Sequence, residues 1–200
     1  MDGFKYKINF YSVGAEESFT EARVEFVDSQ GTEHIFVNLS TSKDHSSTRI
    51  DLYTGFFPAM LLNTDVKESI LKDLSGFKVS SNDIRKVAQE LQQKIFSEDT
   101  IKSIQTYLED AVGLPWHLEG YTNKVYQLDD FLTDDKSALA ELLDGIMDII
   151  TTVFLENYDM FLEYLKKEVE KRLRVQSKTK TSLARTSNSH VFKRLRNRYR

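Results

Sequence analysis

Between Phe4 and Leu52 the chain alternates apolar and polar residues with a period of two. Phe4, Tyr6, Ile8 and Phe10 alternate with Lys5, Lys7 and Asn9, and Ala22, Val24 and Phe26 with Arg23 and Glu25. Ile35, Val37 and Leu39 alternate with His34, Phe36 and Asn38, and Ile50 and Leu52 with Arg49, Asp51 and Tyr53. Successive strand side chains point to opposite faces, so each segment predicts a strand with one buried and one wet face. Asp28-Ser29-Gln30-Gly31 is hairpin-turn chemistry between the second and third strands. The polar run Thr41-Ser42-Lys43-Asp44-His45-Ser46-Ser47 predicts a loop before the fourth. The simplest topology is a four-stranded antiparallel meander.

After Pro58 the period becomes helical. Thr64 is placed to cap a helix carrying Val66, Ile70, Leu71 and Leu74, ended by Gly76. Ser81 or Asn82 is placed to cap a second, with Ile84, Val87, Leu91 and Ile95. Ser97 opens a third, with Ile101, Ile104, Leu108 and Val112, broken at Gly113-Leu114-Pro115. Residues 118–134 read as irregular. The strongest helical signal runs from about 136 to 174, through Leu139, Leu143, Ile146, Ile150, Phe154, Phe161, Leu165 and Val169. That length predicts either one long helix or two, with a break near Asn157-Tyr158-Asp159. The Ser-, Thr- and Lys-rich stretch 175–188 reads as a flexible tether. The fold class is therefore α+β: an N-terminal four-stranded antiparallel meander over residues 1–62, packed with a helical bundle over 63–174, followed by a basic tail over 175–200.

Charge changes the picture more than composition does. Of the 27 Lys and Arg, eleven lie in residues 171–200, which hold no Asp or Glu. The first 170 residues carry the other 16 basic residues and all 31 acidic ones. A body of net −15 thus leads into a segment of net +11, hidden within a total of −4. Clustered Lys and Arg neutralise phosphates with counterion release, and Arg adds a planar fork that matches phosphate. Arg185, Lys193, Arg194, Arg196, Arg198 and Arg200 are the candidate nucleic-acid contacts, with Tyr199 placed to stack on a base. The same segment suits another acidic surface: an acidic protein, an anionic membrane, the protein's own body or a second copy.

The chemistry of catalysis is sparse. The chain has no Cys, which excludes disulfides, thiolate zinc sites and a thiol nucleophile, and fits a reducing compartment. Its four His (His34, His45, His117 and His190) lack metal-ligand spacing, and no phosphate-binding or dinucleotide-binding glycine motif occurs. His34 and His45 lie on neighbouring strands or loops. Trp116 beside Pro115 reads as a core anchor, and Asp129-Asp130 and Asp134-Asp135 as helix-cap residues rather than metal ligands. Glu141, Asp144 and Asp148 interrupt the most apolar stretch, so no transmembrane segment is expected. With no basic and apolar leader at Met1–Tyr6, the expected location is cytoplasmic. No cofactor and no metal are implied.

Arg185-Thr186-Ser187-Asn188-Ser189-His190 is an R-x4-H element that resembles the motif of the HEPN helical ribonucleases. The resemblance implies a dimeric helical bundle in which His190 serves as general acid and base while Arg185 holds the phosphate. It covers six residues. Thr186 stands where that family has an amide or acidic residue. The reading favoured by the residues is a non-enzymatic binding or adaptor protein, its acidic body making protein or homo-oligomer contacts and its basic tail holding nucleic acid or an acidic surface. The two other readings are the ribonuclease just described and an acidic inhibitor whose body mimics nucleic acid in the basic groove of a defence nuclease.

Overall fold

Strands β1 (Lys7–Ser12), β2 (Thr20–Val27), β3 (Glu33–Thr41) and β4 (Thr48–Leu52) pair in sequence order, each antiparallel to the one before. The computed structural model describes residues 4–12, 20–42, 46–120, 123–129 and 135–196, with side chains described throughout except at 12, 20 and 180–196. Ala22, Val24 and Phe26 are buried on the face that also carries Val37, Leu39, Ile50 and Leu52. Polar Glu21, Arg23, Arg49 and Asp51 occupy the other face.

The meander departs from strict alternation at one point. Val24 pairs with Val37 but Glu25 pairs with Ile35, so Phe36 is an extra residue in β3. Such a bulge turns two consecutive side chains toward one side. Phe36 and Val37 are both buried, and Ile35 moves to the polar face, the reverse of what plain alternation predicts for Ile35 and Phe36.

The sheet also extends beyond four strands. β5 (His117–Glu119) and β6 (Lys124–Leu128) form a hairpin, and β6 adds antiparallel to β4 with Tyr126 opposite Ile50. The six-stranded order is β1-β2-β3-β4-β6-β5. Residues 118–134 are thus not irregular throughout. Tyr126 is fully buried and its hydroxyl donates to the Ile101 carbonyl at 3.3 Å.

Helices cover the apolar face. A single 3-10 turn (Thr54–Phe56) leads into α1 (Phe57–Met60), followed by α2 (Thr64–Asp73), α3 (Ser81–Ile95), α4 (Glu98–Val112), α5 (Lys136–Glu156) and α6 (Tyr158–Arg196). Two caps sit one residue earlier than the sequence suggests. Asn63, not Thr64, accepts from the Asp65 amide, and Ser80, not Ser81, forms a reciprocal capping box with Asp83. Ser97 caps α4 as expected, and Gly113 ends it at φ 74°, a left-handed conformation that favours glycine. Asp135 caps α5, and Asn157 separates α5 from α6. Trp116 anchors the core, donating from Nε1 to the Leu108 carbonyl at 3.1 Å.

Sheet and helices share one core, knitted by aromatic contacts from Phe26 to Phe36 and Phe96, then to Phe57 and Phe154. Gly145, within α5, lies against the Tyr107 ring, and a Cβ there would fall inside that ring. The Tyr107 hydroxyl donates to the Glu141 carbonyl at 2.9 Å, which holds the ring in place. Gly to Ala in a helix interior normally stabilises by about 1 kcal/mol. Here Gly145→Ala is expected to lose about 1–3 kcal/mol through overpacking. In a Tyr107→Ala background the same change is expected to stabilise, as chemical denaturation of the four proteins would read out.

Candidate nucleic-acid interface

The described part of the basic segment begins where α6 leaves the body. Contacts from α6 to α3 run in opposite order along the two helices. Met160 meets Lys94, Glu168 meets Lys86, and Arg172 meets Asp83. The two helices are therefore antiparallel, and α6 departs past the N-terminus of α3. Phe161, Leu165 and Val169 bury one stripe of α6, and Val169 is its last buried apolar residue among those described.

The point of departure is fastened by Arg172. Its Nη1 lies 3.2 Å from Asp83 Oδ2, and its Nη2 donates to the Lys78 carbonyl. The Asp83 side chain is only 2 % exposed and also accepts from the Ser80 amide at 2.7 Å and the Ser80 hydroxyl at 2.6 Å. One carboxylate thus caps α3 and grips α6. Such a charge is tolerated in the interior only because it is both paired and hydrogen-bonded.

Beyond Arg172 the helix stands clear. Residues 173–179 are all exposed, including Leu173 at 50 % and Val175 at 58 %. They span nearly two turns, so every side of the helix faces solvent. The backbone stays helical to Arg196, which corrects the reading of 175–188 as a tether. At 1.5 Å per residue, positions 173–196 form an arm of roughly 36 Å. Glu170 is the last acidic residue of the chain. Lys171 and Arg174 reach back to Glu168 and Glu170 at 3.7 and 3.8 Å, exposed pairs that contribute little. Lys167, Lys171, Arg174 and Lys178 share one face and line a shallow concavity along it.

Arg185, Lys193, Arg194 and Arg196 lie on the helical backbone of this arm, with side chains beyond those described. Arg198, Tyr199 and Arg200 lie outside the described residues. Helical spacing of 100° per residue puts position 185 in line with Lys178 and Arg174, and position 196 with them. It separates positions 185 and 190, those of the R-x4-H element, by about 140° around the axis. Sequence reasoning missed Lys167, Lys171, Arg174 and Lys178 as a common face. The signal was their spacing, legible once the tether is read as helix.

The body offers less to a phosphate. On the polar sheet face Arg23 pairs with Glu21 at 2.9 Å and stacks over Tyr11 at 4.5 Å, while Arg49 pairs with Asp51 at 2.7 Å. Both guanidiniums are already neutralised there. Glu141, Asp144 and Asp148 are exposed along α5 and make no ion pair among the described residues. The Tyr6 hydroxyl donates to Asp144 at 2.7 Å, and burial together with that bond pushes the phenol well above its usual range.

The histidines do not assemble a site. His34 pairs with Asp28 at 3.0 Å. Burial pushes the Asp28 carboxyl up, but its bonds to His34 and to the Thr32 and Gln30 amides outweigh that and hold it below the usual range. His117 lies 3.3 Å from exposed Asp129. His45, Asp130 and Asp134 lie outside the described residues. Among the described residues no group of three or more His, Asp or Glu is placed to hold a metal ion, and no helix is long and apolar enough to cross a membrane. No family model, curated protein or solved structure matches this chain.

Proposed function

We propose that this is a non-enzymatic binding protein that holds nucleic acid on the basic arm of α6 while its acidic body makes protein contacts. The observation that carries the reading is the coincidence of two boundaries. The acid-free segment begins at Lys171, and the helix leaves the body at Arg172. The positive charge is therefore carried clear of the negative body rather than folded among its carboxylates. Held at a distance, it keeps the counterion-release energy that phosphate binding supplies. A flexible tail would lose conformational entropy on binding, and a helical arm loses less.

The test is fluorescence anisotropy with labelled duplex DNA and RNA at about 50 mM salt, comparing the full chain with one ending at Leu173. The cut falls after Arg172, so Asp83 keeps its partner, and after Val169, so the core stays whole. The full chain is expected to bind in the micromolar range and the shortened chain at least about 100-fold more weakly. Equal binding by the two would move the interface to the body, and no binding by either would remove nucleic acid as the partner.

A further inference from the structure

We propose that the nucleic acid is double-stranded DNA and that the arm lies in its major groove. This rests on the reading of α6 as a nucleic-acid arm and adds the class of ligand. Three observations point the same way.

The first is shape. Residues 173–179 are exposed all round, so the arm presents a single helix with nothing packed beside it. A helix with side chains is about 10–12 Å across, and the major groove of B-form DNA is about 12 Å wide. The major groove of double-stranded RNA is deep and too narrow for a helix to enter.

The second is the distribution of charge around the axis. With Arg174 as reference, Lys171 and Lys178 fall within about 60°, and positions 185 and 196 within about 40°. Lys180 and Arg194 occupy positions roughly 200–240° away, on the opposite side. A flat anionic surface such as a membrane meets one side of a helix. A helix in a groove has a phosphate backbone on each side, and two opposed arcs of cations match that arrangement. Spread over roughly 36 Å, they contact both strands along about one turn of duplex.

The third is the lack of a stacking platform. Proteins that hold single strands stack bases on aromatic side chains. No Phe, Tyr or Trp occurs between Lys171 and Val191.

The experiment uses the full chain and four probes: a DNA duplex of about 25 base pairs, the RNA duplex of the same sequence, the corresponding single DNA strand, and vesicles containing phosphatidylserine. The DNA duplex is expected to bind at least about tenfold more tightly than the RNA duplex or the single strand at equal salt. Two double variants separate the arcs, Lys178→Gln with Arg185→Gln on one side and Lys180→Gln with Arg194→Gln on the other. Each is expected to weaken DNA binding about tenfold, because each removes contacts to one groove wall. Gln is a good helix former, so the arm itself is preserved. Tighter binding to the RNA duplex, the single strand or vesicles overturns the assignment, as does a variant pair that leaves DNA affinity unchanged. If nucleic acids bind without preference for duplex DNA, this assignment falls and the arm remains a nucleic-acid binder. If none binds, the parent reading falls with it.

Discussion

Phe154→Ala is expected to cost about 3–5 kcal/mol, the largest loss from any single truncation in this core. Phe154 is fully buried, with ring centroids of Phe4, Phe57, Tyr158 and Phe161 at 5.3, 5.8, 5.7 and 5.7 Å. It is the residue at which the chain leading into β1, the short helix α1 and the α5–α6 junction meet. Truncation loses the transfer energy of the ring and leaves a cavity whose aromatic lining cannot close, since each neighbour is held by other contacts. A domain of this kind has about 5–15 kcal/mol in all, so the variant approaches the limit of folding. Phe154→Leu, which keeps most of the volume, is expected to lose roughly half as much or less. Urea denaturation of both variants measures the difference, and a Phe154→Ala loss below about 1 kcal/mol would contradict this view of the core.

Arg172→Met should destabilise by about 3 kcal/mol and loosen the arm. The substitution leaves the Asp83 carboxylate almost wholly buried without its cation, and breaking a buried pair by removing one partner costs about 3–5 kcal/mol. The lower end applies because Arg172 is 29 % exposed and the two Ser80 donors remain on Asp83. The loss comes mainly from the stranded charge, so Asp83→Asn added to Arg172→Met should recover part of it. That non-additivity is the signature of a coupled pair. Hydrogen exchange should speed up in α6 near residues 169–173 and at the start of α3, leaving the far strands unchanged. A double variant as unstable as the sum of its singles would mean that Arg172 acts through packing of its stem alone.

The parts of the fold that were legible from sequence are those set by local pattern. Alternation in Ala22–Phe26 and Ile50–Leu52 identifies strands because their partners are near in sequence and one face is buried. The β5–β6 hairpin escaped because β5 has three exposed residues and β6 pairs with a strand more than seventy residues earlier. The period-two run Lys124-Val125-Tyr126-Gln127-Leu128 was the available signal. The bulge at Phe36 depends on how β2 and β3 twist together, which no single-strand pattern encodes. Caps moved by one residue because Asn63 and Thr64, like Ser80 and Ser81, are both competent, and the geometry of the preceding chain chooses between them.

The arm divides the same way. Its charge was plain in the sequence, whereas its helicity was masked by Ser and Thr, residues common in tethers. Their helix penalty is only a few tenths of a kcal/mol each, and no Gly or Pro follows Gly145 to stop the helix. The Arg172–Asp83 fastening joins residues 89 positions apart and leaves no local trace.

The central claim is that α6 binds phosphate through cations held away from the acidic body. The most direct measurement is the salt dependence of full-chain binding to a DNA duplex of about 25 base pairs. Five to seven phosphate contacts predict a slope of log affinity against log salt of about −4 to −6. A slope near zero, or one unchanged when Lys178, Lys180, Arg185 and Arg194 are all replaced by Gln, would contradict the account.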